Sequence, residues 1–250
     1  MITTFFSEKG GSGKTTFNIL LASYLAYIEG KNVLYIDTDS PNFHAEGVRL
    51  REIKLYQNPE NAKLFRRYII SDSLKIYDIQ KIKDIRSEDN FKKVKYALAS
   101  LKEQQKYDHI IIDLPGTLDN KSIQELLFSN LIDKIYMPIE EDKQLIWSAV
   151  KFASTLANRG ITPYLFWNKI YTKEGIKIYD LRTQFIIENY NLRFLNTRIK
   201  NSVKIRREWD GSNCDFIRST LCYPLRNIAQ SNLSCLTDLF TEITNRHEDD

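Results

Sequence analysis

The chain has 250 residues, of which 42% are hydrophobic and 27% are charged, and its formal net charge is +4 at pH 7. This composition excludes a disordered or low-complexity chain, and the length suffices for one large α/β domain with a substantial core. Two regions are nonetheless basic, residues 49–106 with a net charge of +7 and residues 192–230 with +5, which indicates either a local anionic partner or a solvated face.

The cysteines and the hydropathy pattern bear on the compartment. The chain has three cysteines, an odd number, and none of them form a C-x-x-C pair: Cys214, Cys222 and Cys235. This is expected in a reducing compartment. A strand predicted from residue 2 leaves no room for a signal peptide, and no apolar run approaches membrane-spanning length. We therefore expect a cytoplasmic protein without stable membrane insertion.

The most informative stretch is residues 2–16, Ile-Thr-Thr-Phe-Phe-Ser-Glu-Lys-Gly-Gly-Ser-Gly-Lys-Thr-Thr. Its first residues predict a strand, and an apolar pattern at helical spacing begins at Lys14. Glycines between a strand end and a helix N-terminus bind phosphate, because backbone N–H groups turn toward the anion and the helix dipole adds positive charge. In such a loop Lys14 reaches the β- and γ-phosphates, Thr15 binds Mg²⁺, and Thr16 helps to hold the α-phosphate.

The loop departs from the usual G-x-x-x-x-G-K-[ST] pattern, because Glu8 replaces the first glycine and Lys9 adds a cation. The sequence K-G-G-S-G-K-T-T resembles the deviant Walker A motif of the ParA/MinD family of ATPases, and the chain is most similar to short ParA-type partition proteins. This resemblance implies that Lys9 contacts phosphate across a dimer that sandwiches two nucleotides. It also implies ATP and Mg²⁺ as cofactors, with the nucleotide bound by Gly10, Gly11, Ser12, Gly13, Lys14, Thr15 and Thr16.

Two acids follow the next predicted strand, residues 32–36, in the segment Asp37-Thr38-Asp39-Ser40-Pro41. The carboxyl end of a strand beside a phosphate loop is where α/β sheets bind ligands, although alone the acids would indicate capping or turn residues. The segment resembles the D-x-D-P element of the ParA family. By that resemblance Asp39 orients the attacking water, and Asp37 supports the magnesium shell.

Residues 42–106 are less informative, and the resemblance is weak there. Apolar spacing predicts helices over 59–70 and 88–105, whereas residues 71–86 mix charged and apolar side chains without a period. The basic excess makes this region a candidate partner surface.

The second clear motif spans residues 107–116, where a strand ends in Asp113 and a Pro-Gly turn follows. A carboxylate in this position can hold the water shell of Mg²⁺. The motif resembles the family's Walker B strand, with Asp113 in the metal role and residues 115–117 as the loop that senses the γ-phosphate. His109 has no second histidine nearby, so we expect an ordinary strand residue.

The middle of the chain predicts helices near 121–130, 143–159 and 175–190, and strands at 133–138 and 163–169. The second of these strands ends in Asn168-Lys169. The family has an asparagine here that reads the adenine edge, so the resemblance makes Asn168 the candidate. A turn-forming asparagine is the alternative.

A last strand is predicted at residues 192–198, before a basic loop and helical residues 203–209; the final helix is predicted at 231–246, with an acidic tail. This order resembles the family's strand, isoleucine, basic loop and helix near the nucleotide base. In ParA proteins, basic residues of the C-terminal part bind DNA without sequence preference. The candidates to neutralise DNA phosphates are therefore Lys200, Lys204, Arg206, Arg207, Arg218 and Arg226. A solvated basic face is the alternative.

These elements predict one domain, residues 1–250, with an α/β P-loop NTPase fold: a mostly parallel twisted sheet of about seven strands with helices on both faces. The resemblance implies a slow, partner-stimulated, Mg²⁺-dependent ATPase with Lys9, Lys14 and Asp39 as catalytic residues. It would form an ATP-dependent homodimer, bind DNA non-specifically and respond to a ParB-like activating protein. The implied service is partition of a plasmid, chromosome or mobile element, with association with the nucleoid.

Two other functions stay open: an ATP-binding switch for conjugation or another protein or membrane assembly without DNA binding, and a small-molecule biosynthetic P-loop enzyme. A MinD-like membrane switch needs a basic amphipathic C-terminal helix, whereas residues 231–250 contain five acids and one arginine. The cysteines do not match those of iron–sulfur relatives. No tyrosine cluster follows Tyr223, as bacterial tyrosine kinases would have. The presence of both Asp39 and Asp113 argues against a scaffold that binds ATP without hydrolysis.

Overall fold

The computed structural model describes residues 1–41, 43–68, 76–83, 85–116, 121–171, 176–212 and 215–246. The strands are β1 Ile2–Phe5, β2 Val33–Asp37, β3 Asp78–Lys81, β4 His109–Asp113, β5 Lys134–Ile139, β6 Pro163–Trp167 and β7 Arg193–Phe194. The helices are α1 Lys14–Tyr27, α2 His44–Tyr56, α3 Pro59–Phe65, α4 Glu88–Gln104, α5 Lys121–Leu127, α6 Lys143–Ala157, α7 Ile176–Tyr190, α8 Leu225–Gln230 and α9 Cys235–Asn245. Short 3₁₀ turns lie at Arg66–Tyr68 and Val203–Arg206. The predicted roles of Thr117, Cys214 and the tail 247–250 fall outside these residues.

The seven strands form one parallel sheet in the order β3-β2-β4-β1-β5-β6-β7. β1, β2 and β4 are buried along their whole length, as expected for parallel strands that are covered on both faces. Because β4 and β5 flank β1, the loop after β1 opens at the point where the chain connections diverge to either side, which is the usual ligand site of such sheets. The P-loop NTPase fold predicted from the sequence is confirmed.

Two cores lie on opposite faces of the sheet, because successive side chains of a strand point in opposite directions. In β2, Leu34 and Ile36 enter the core that α4, α5, α6 and α7 cover. Val33 and Tyr35 enter the core that α1, α8 and α9 cover. In the part of the chain that the structure describes, no helix combines the length and the hydrophobicity that crossing a membrane requires.

A third, smaller cluster, here called the aromatic cluster, joins α3 to the C-terminal part of the chain. Its buried members are Phe65, Trp209, Phe216, Leu221 and Cys222. The Phe65 ring centroid lies 4.4 Å from that of Trp209 and 5.5 Å from that of Phe216. The weakly predicted region after β2 is thus packed against residues that follow β7.

Several elements differ from the sequence prediction. The sequence pattern did not reveal α2, β3 or α8, and the last strand covers Arg193–Phe194 instead of residues 192–198. The helical stretch predicted at 203–209 is a 3₁₀ turn of four residues, Val203–Arg206. β3 is an edge strand with largely exposed polar residues, so it lacks the buried apolar run that identifies its neighbours.

Candidate active site

The loop between β1 and α1 has the conformation of a phosphate-binding loop. Gly11 and Gly13 have φ angles of +77° and +92°, which side chains with a Cβ rarely adopt, and Gly13 is the N-cap residue of α1. The hydroxyl of Ser12 is buried and has no hydrogen-bond partner among the described residues. The loop therefore presents the N-terminus of α1 and an unused donor, and this arrangement fits a nucleotide phosphate.

Lys14 enters this site as a buried cation. Its side-chain nitrogen donates to the carbonyl oxygen of Lys9 at 3.0 Å. Burial lowers the pKa of Lys14, and the charges of Asp113 and Asp39 oppose that shift. The turn after β4 packs closely on this amine, because a Cβ added to Gly116 would collide with Nζ. The phosphate loop and the Pro-Gly turn after β4 therefore meet at Nζ of Lys14.

Asp113 lies at the carboxyl end of β4 and is fully buried. Its carboxylate accepts hydrogen bonds from Asn18 Nδ2 at 2.8 Å and Tyr35 Oη at 3.0 Å. Burial and then the charge of Asp37 raise the pKa of Asp113 to about 7, against the effect of these hydrogen bonds. Thr15, which is also predicted to hold Mg²⁺, lies close enough to Asp113 to lower its pKa.

Asp37 and Asp39 have different surroundings. Asp37 faces Asp113 in the register of β2 and β4, and burial raises the pKa of its carboxyl group. Its carboxylate accepts the backbone N–H groups of Ala45 at 3.1 Å and Asp39 at 3.3 Å, so it also fixes the start of α2. Asp39 lines the cavity over the phosphate loop, close enough to Lys14 to affect its pKa.

Two cavities adjoin at the phosphate loop. The larger, about 690 Å³, contains Lys14, Thr15, Asp39 and Gly116 in its lining and is here called the phosphate cavity. The smaller, about 270 Å³, includes Phe17, Val203 and Ile205 and offers an apolar slot of the kind that a nucleotide base fills. Three residues line both, namely Gly13, Thr16 and Arg206.

Asn168 lines the smaller cavity and is almost fully buried. Its Nδ2 donates to the carbonyl oxygen of Ser12 at 2.8 Å, and its Oδ1 accepts the backbone N–H of Lys169 at 2.9 Å. The side chain thus ties β6 to the phosphate loop. Because an amide offers two N–H groups and two lone pairs, it retains capacity for the predicted contact with a base.

Lys9 points away from the phosphate cavity. Its side-chain nitrogen lies 3.0 Å from Glu140 Oε2, with 43% of the side chain exposed, and Lys169 holds the other oxygen of Glu140 at 2.5 Å. Burial alone would raise the pKa of Glu140, but the hydrogen bonds from Lys169 and Lys9 outweigh it and lower the pKa. Sequence reasoning missed Glu140, although an acid directly after β5 was the available signal.

The six basic residues predicted to contact DNA separate into two groups. Arg206 and Arg218 line the phosphate cavity, and they contact the Gly11 carbonyl oxygen and the Thr16 hydroxyl respectively. The other four do not line it, and among them Arg207 is paired with Asp215. Arg207 and Arg226 are exposed, and Lys200 and Lys204 are half-buried.

Comparison with known proteins identifies the family. A family model described as an AAA domain, AAA_31, matches residues 1–144. The chain is 27% identical over 221 residues to the virulence plasmid ParA family protein pGP5-D of Chlamydia psittaci, covering 81% of this chain and 82% of that protein. It is 25% identical over 227 residues to the sporulation initiation inhibitor protein Soj of Bacillus subtilis (strain 168), covering 83% and 78%.

A similar solved structure is the septum site-determining protein MinD of Pyrococcus horikoshii OT3, complexed with Mg-ADP. It has a TM-score of 0.60 and 18% identity, and the match covers 97% of this chain and 95% of that one. This likeness shows the shared fold, and the matched family model covers both the phosphate loop and the strand that ends in Asp113. The chain belongs to the ParA/MinD family of deviant Walker A P-loop ATPases.

Proposed function

We propose that this protein is an Mg²⁺-dependent ATPase that acts as a nucleotide-driven dimerisation switch and binds DNA without sequence preference. The observation that carries the proposal is that two lysines of the phosphate loop lie in different surroundings. Lys14 is buried within the phosphate cavity, whereas Lys9 lies at the exposed rim and bonds Glu140. A lysine at the rim suits a contact with the phosphates of a second subunit.

The site residues suggest how hydrolysis would proceed. Lys14 and the backbone of residues 10–13 would bind the phosphates, and Thr15 and Asp113 would hold Mg²⁺, supported by Asp37. The metal ion would offset phosphate charge. Asp39, which lines the same cavity, would orient the attacking water. Catalysis in such a site consists mainly of positioning and charge neutralisation, in keeping with a slow enzyme that a ParB-like partner stimulates.

The proposed cellular role is partition of a plasmid, chromosome or mobile element in the cytoplasm, at the nucleoid. Support comes from the name of one relative, a virulence plasmid ParA family protein. The MinD protein bound to Mg-ADP supports nucleotide binding alone. For DNA contact we propose the four of the six predicted cations that do not line the phosphate cavity, which are Lys200, Lys204, Arg207 and Arg226.

The test is duplex-DNA binding by the Asp39→Ala variant with ATP and with ADP across a salt series. The variant should not hydrolyse ATP, so the ATP-bound dimer should persist and bind DNA, whereas the ADP form should not. If all four cations of each subunit contact phosphates, log K should fall with log salt concentration with a slope of about −7 for the dimer.

The control is Lys14→Ala, which should lose ATP binding in calorimetry and DNA binding together. Equal DNA binding with ATP and ADP would refute the switch. Absence of DNA binding in a protein that dimerises with ATP would refute the DNA-binding part and leave a switch that acts on a protein partner.

A further inference from the structure

Arg218 is a cation of the phosphate cavity that the phosphate-loop motifs do not supply. It lies about 200 residues from α1 in the sequence, yet its Nη1 donates to the Thr16 hydroxyl at 3.1 Å. Only 17% of its side chain is exposed. The guanidinium group is therefore held at the N-terminal turn of the helix whose N–H groups face the phosphate cavity.

The backbone and one acid fix the position of Arg218. Its N–H group and that of Ile217 both donate to the carbonyl oxygen of Arg207 at 2.9 Å, and Phe216 and Ile217 are fully buried. Glu208 accepts a hydrogen bond from Arg218 Nη2. A side chain held in this way loses little further conformational freedom when it binds a ligand.

Among the described residues, Arg218 shares its paired carboxylate with a second guanidinium group. Glu208 is shared, because its Oε2 also binds Arg51 at 2.7 Å, so one carboxylate serves two guanidinium groups. The Nε atom of Arg218 is buried and has no hydrogen-bond partner among the described residues. A guanidinium group with unused donors and a shared carboxylate partner fits phosphate oxygens.

We propose that Arg218 binds the α-phosphate of the nucleotide, beside the Thr16 hydroxyl. This inference rests on the proposed function, which places ATP in the same cavity. It reassigns Arg218 from the DNA surface to the nucleotide site. Arg218 is then a phosphate-binding residue supplied by the C-terminal segment of the same chain, and Glu208 is the residue that positions it.

The experiment is calorimetry of ATP, ADP and AMP, with Mg²⁺ and without DNA, on the wild type, Arg218→Ala, Arg218→Lys and a control. The control is Arg246→Ala, because Arg246 is also paired with a glutamate, Glu242, but lies outside both cavities. Loss of a charge-assisted phosphate contact should weaken binding about tenfold or more in Arg218→Ala. The Lys variant should recover part of the loss, and Arg246→Ala should match the wild type.

Three nucleotides and a phosphate-free probe make the test specific. An α-phosphate contact predicts equal losses for ATP, ADP and AMP, whereas a β-phosphate contact would spare AMP. Binding of adenosine, measured by NMR line broadening, should be unchanged. A loss with ATP alone, a loss that spares AMP, an equal loss with adenosine, or wild-type affinities in Arg218→Ala would each overturn the assignment. If the wild-type chain binds neither ATP nor ADP, the proposed function fails and this inference fails with it.

Discussion

Burial dominates the chemistry of Asp113. The carboxyl group has no exposed surface and faces Asp37 across the β2–β4 pair, and its pKa is raised to about 7. In unfolded chains the pKa of an aspartate is about 3.9. Between these two values the folded chain holds a proton that the unfolded chain has released.

The consequence is a pH dependence of stability. Because the folded state binds one more proton, the free energy of unfolding falls as pH rises, by at most about 1.4 kcal/mol per pH unit. This contribution is fully present below about pH 4 and is lost once the pH passes about 7. Asp113→Asn cannot titrate, so the stability of the wild type relative to this variant should fall between pH 5 and pH 7.

Urea unfolding of both proteins at pH 5, 6 and 7, with EDTA to remove Mg²⁺, measures this difference. The other groups are common to both proteins, so the comparison reports the titration of residue 113 together with its coupling to Asp37. A difference that stays constant across these pH values would mean that the buried carboxyl group is ionised when folded.

The residues that could be predicted at the site are those that short motifs place at strand ends. Lys14 and Thr15 come after β1, and Asp113 ends β4. Because these two strands pair in parallel, the three residues lie at the same edge of the sheet. Glu140 contacts Lys9, which lies 131 residues away in the sequence. Arg218 contacts Thr16, which lies 202 residues away. Local spacing carries no information about such contacts, so the sequence offers Arg218 only as one of six candidate DNA-binding cations.

At the scale of elements, the aromatic cluster holds α3 against the segment that carries Glu208 and Arg218. Trp209 is its largest side chain and is 2% exposed. Its ring packs against that of Phe65 of α3 at an interplanar angle of 34°, with ring centroids 4.4 Å apart. Removal of this ring would leave a cavity between two parts of the chain that are distant in sequence.

Trp209→Ala should therefore lower the free energy of unfolding by about 3–5 kcal/mol, from lost burial and the cavity together. Chemical denaturation monitored by far-UV circular dichroism measures the loss. The matched control is Trp147→Ala on α6, whose ring is 41% exposed and contacts Tyr190 at its edge. That change should cost less than about 1 kcal/mol, and equal losses in the two variants would contradict the structural role of the cluster.

α4 and α2 show why one helix was predictable from its apolar pattern and the other was not. α4 shows buried Phe91, Val94 and Leu98 on one face and was predicted almost to the residue. α2 buries Arg49 and Glu52 beside Ala45 and Val48. The sequence of its inner face therefore lacks the apolar pattern that predicts a buried helix face. Arg49 donates to Thr220 and to the Tyr77 carbonyl oxygen, and Thr220 in turn donates to Glu52. These partners lie in distant segments that no local period reveals.

For the whole molecule, the contact between Lys9 and Glu140 bears on assembly. Glu140 holds Lys9 and Lys169 together at the rim of the phosphate loop. A lysine that crosses to a second subunit must leave this acid and exchange it for phosphate. The ammonium group is paired with Glu140 in the monomer and would be paired with phosphate in the proposed dimer.

Lys9→Ala in the Asp39→Ala background should therefore separate nucleotide binding from dimerisation. The backbone carbonyl of residue 9, which accepts the hydrogen bond from Lys14, is retained in the variant, so ATP affinity of one subunit should stay within about twofold. Two symmetric lysine–phosphate contacts are lost, and the dimer should dissociate at least about a hundredfold more readily. Light scattering with ATP measures the dimer, and Lys151→Ala on the exposed side of α6 is the control. A dimer of wild-type strength would show that Lys9 acts within its own subunit and that Glu140 is its permanent partner.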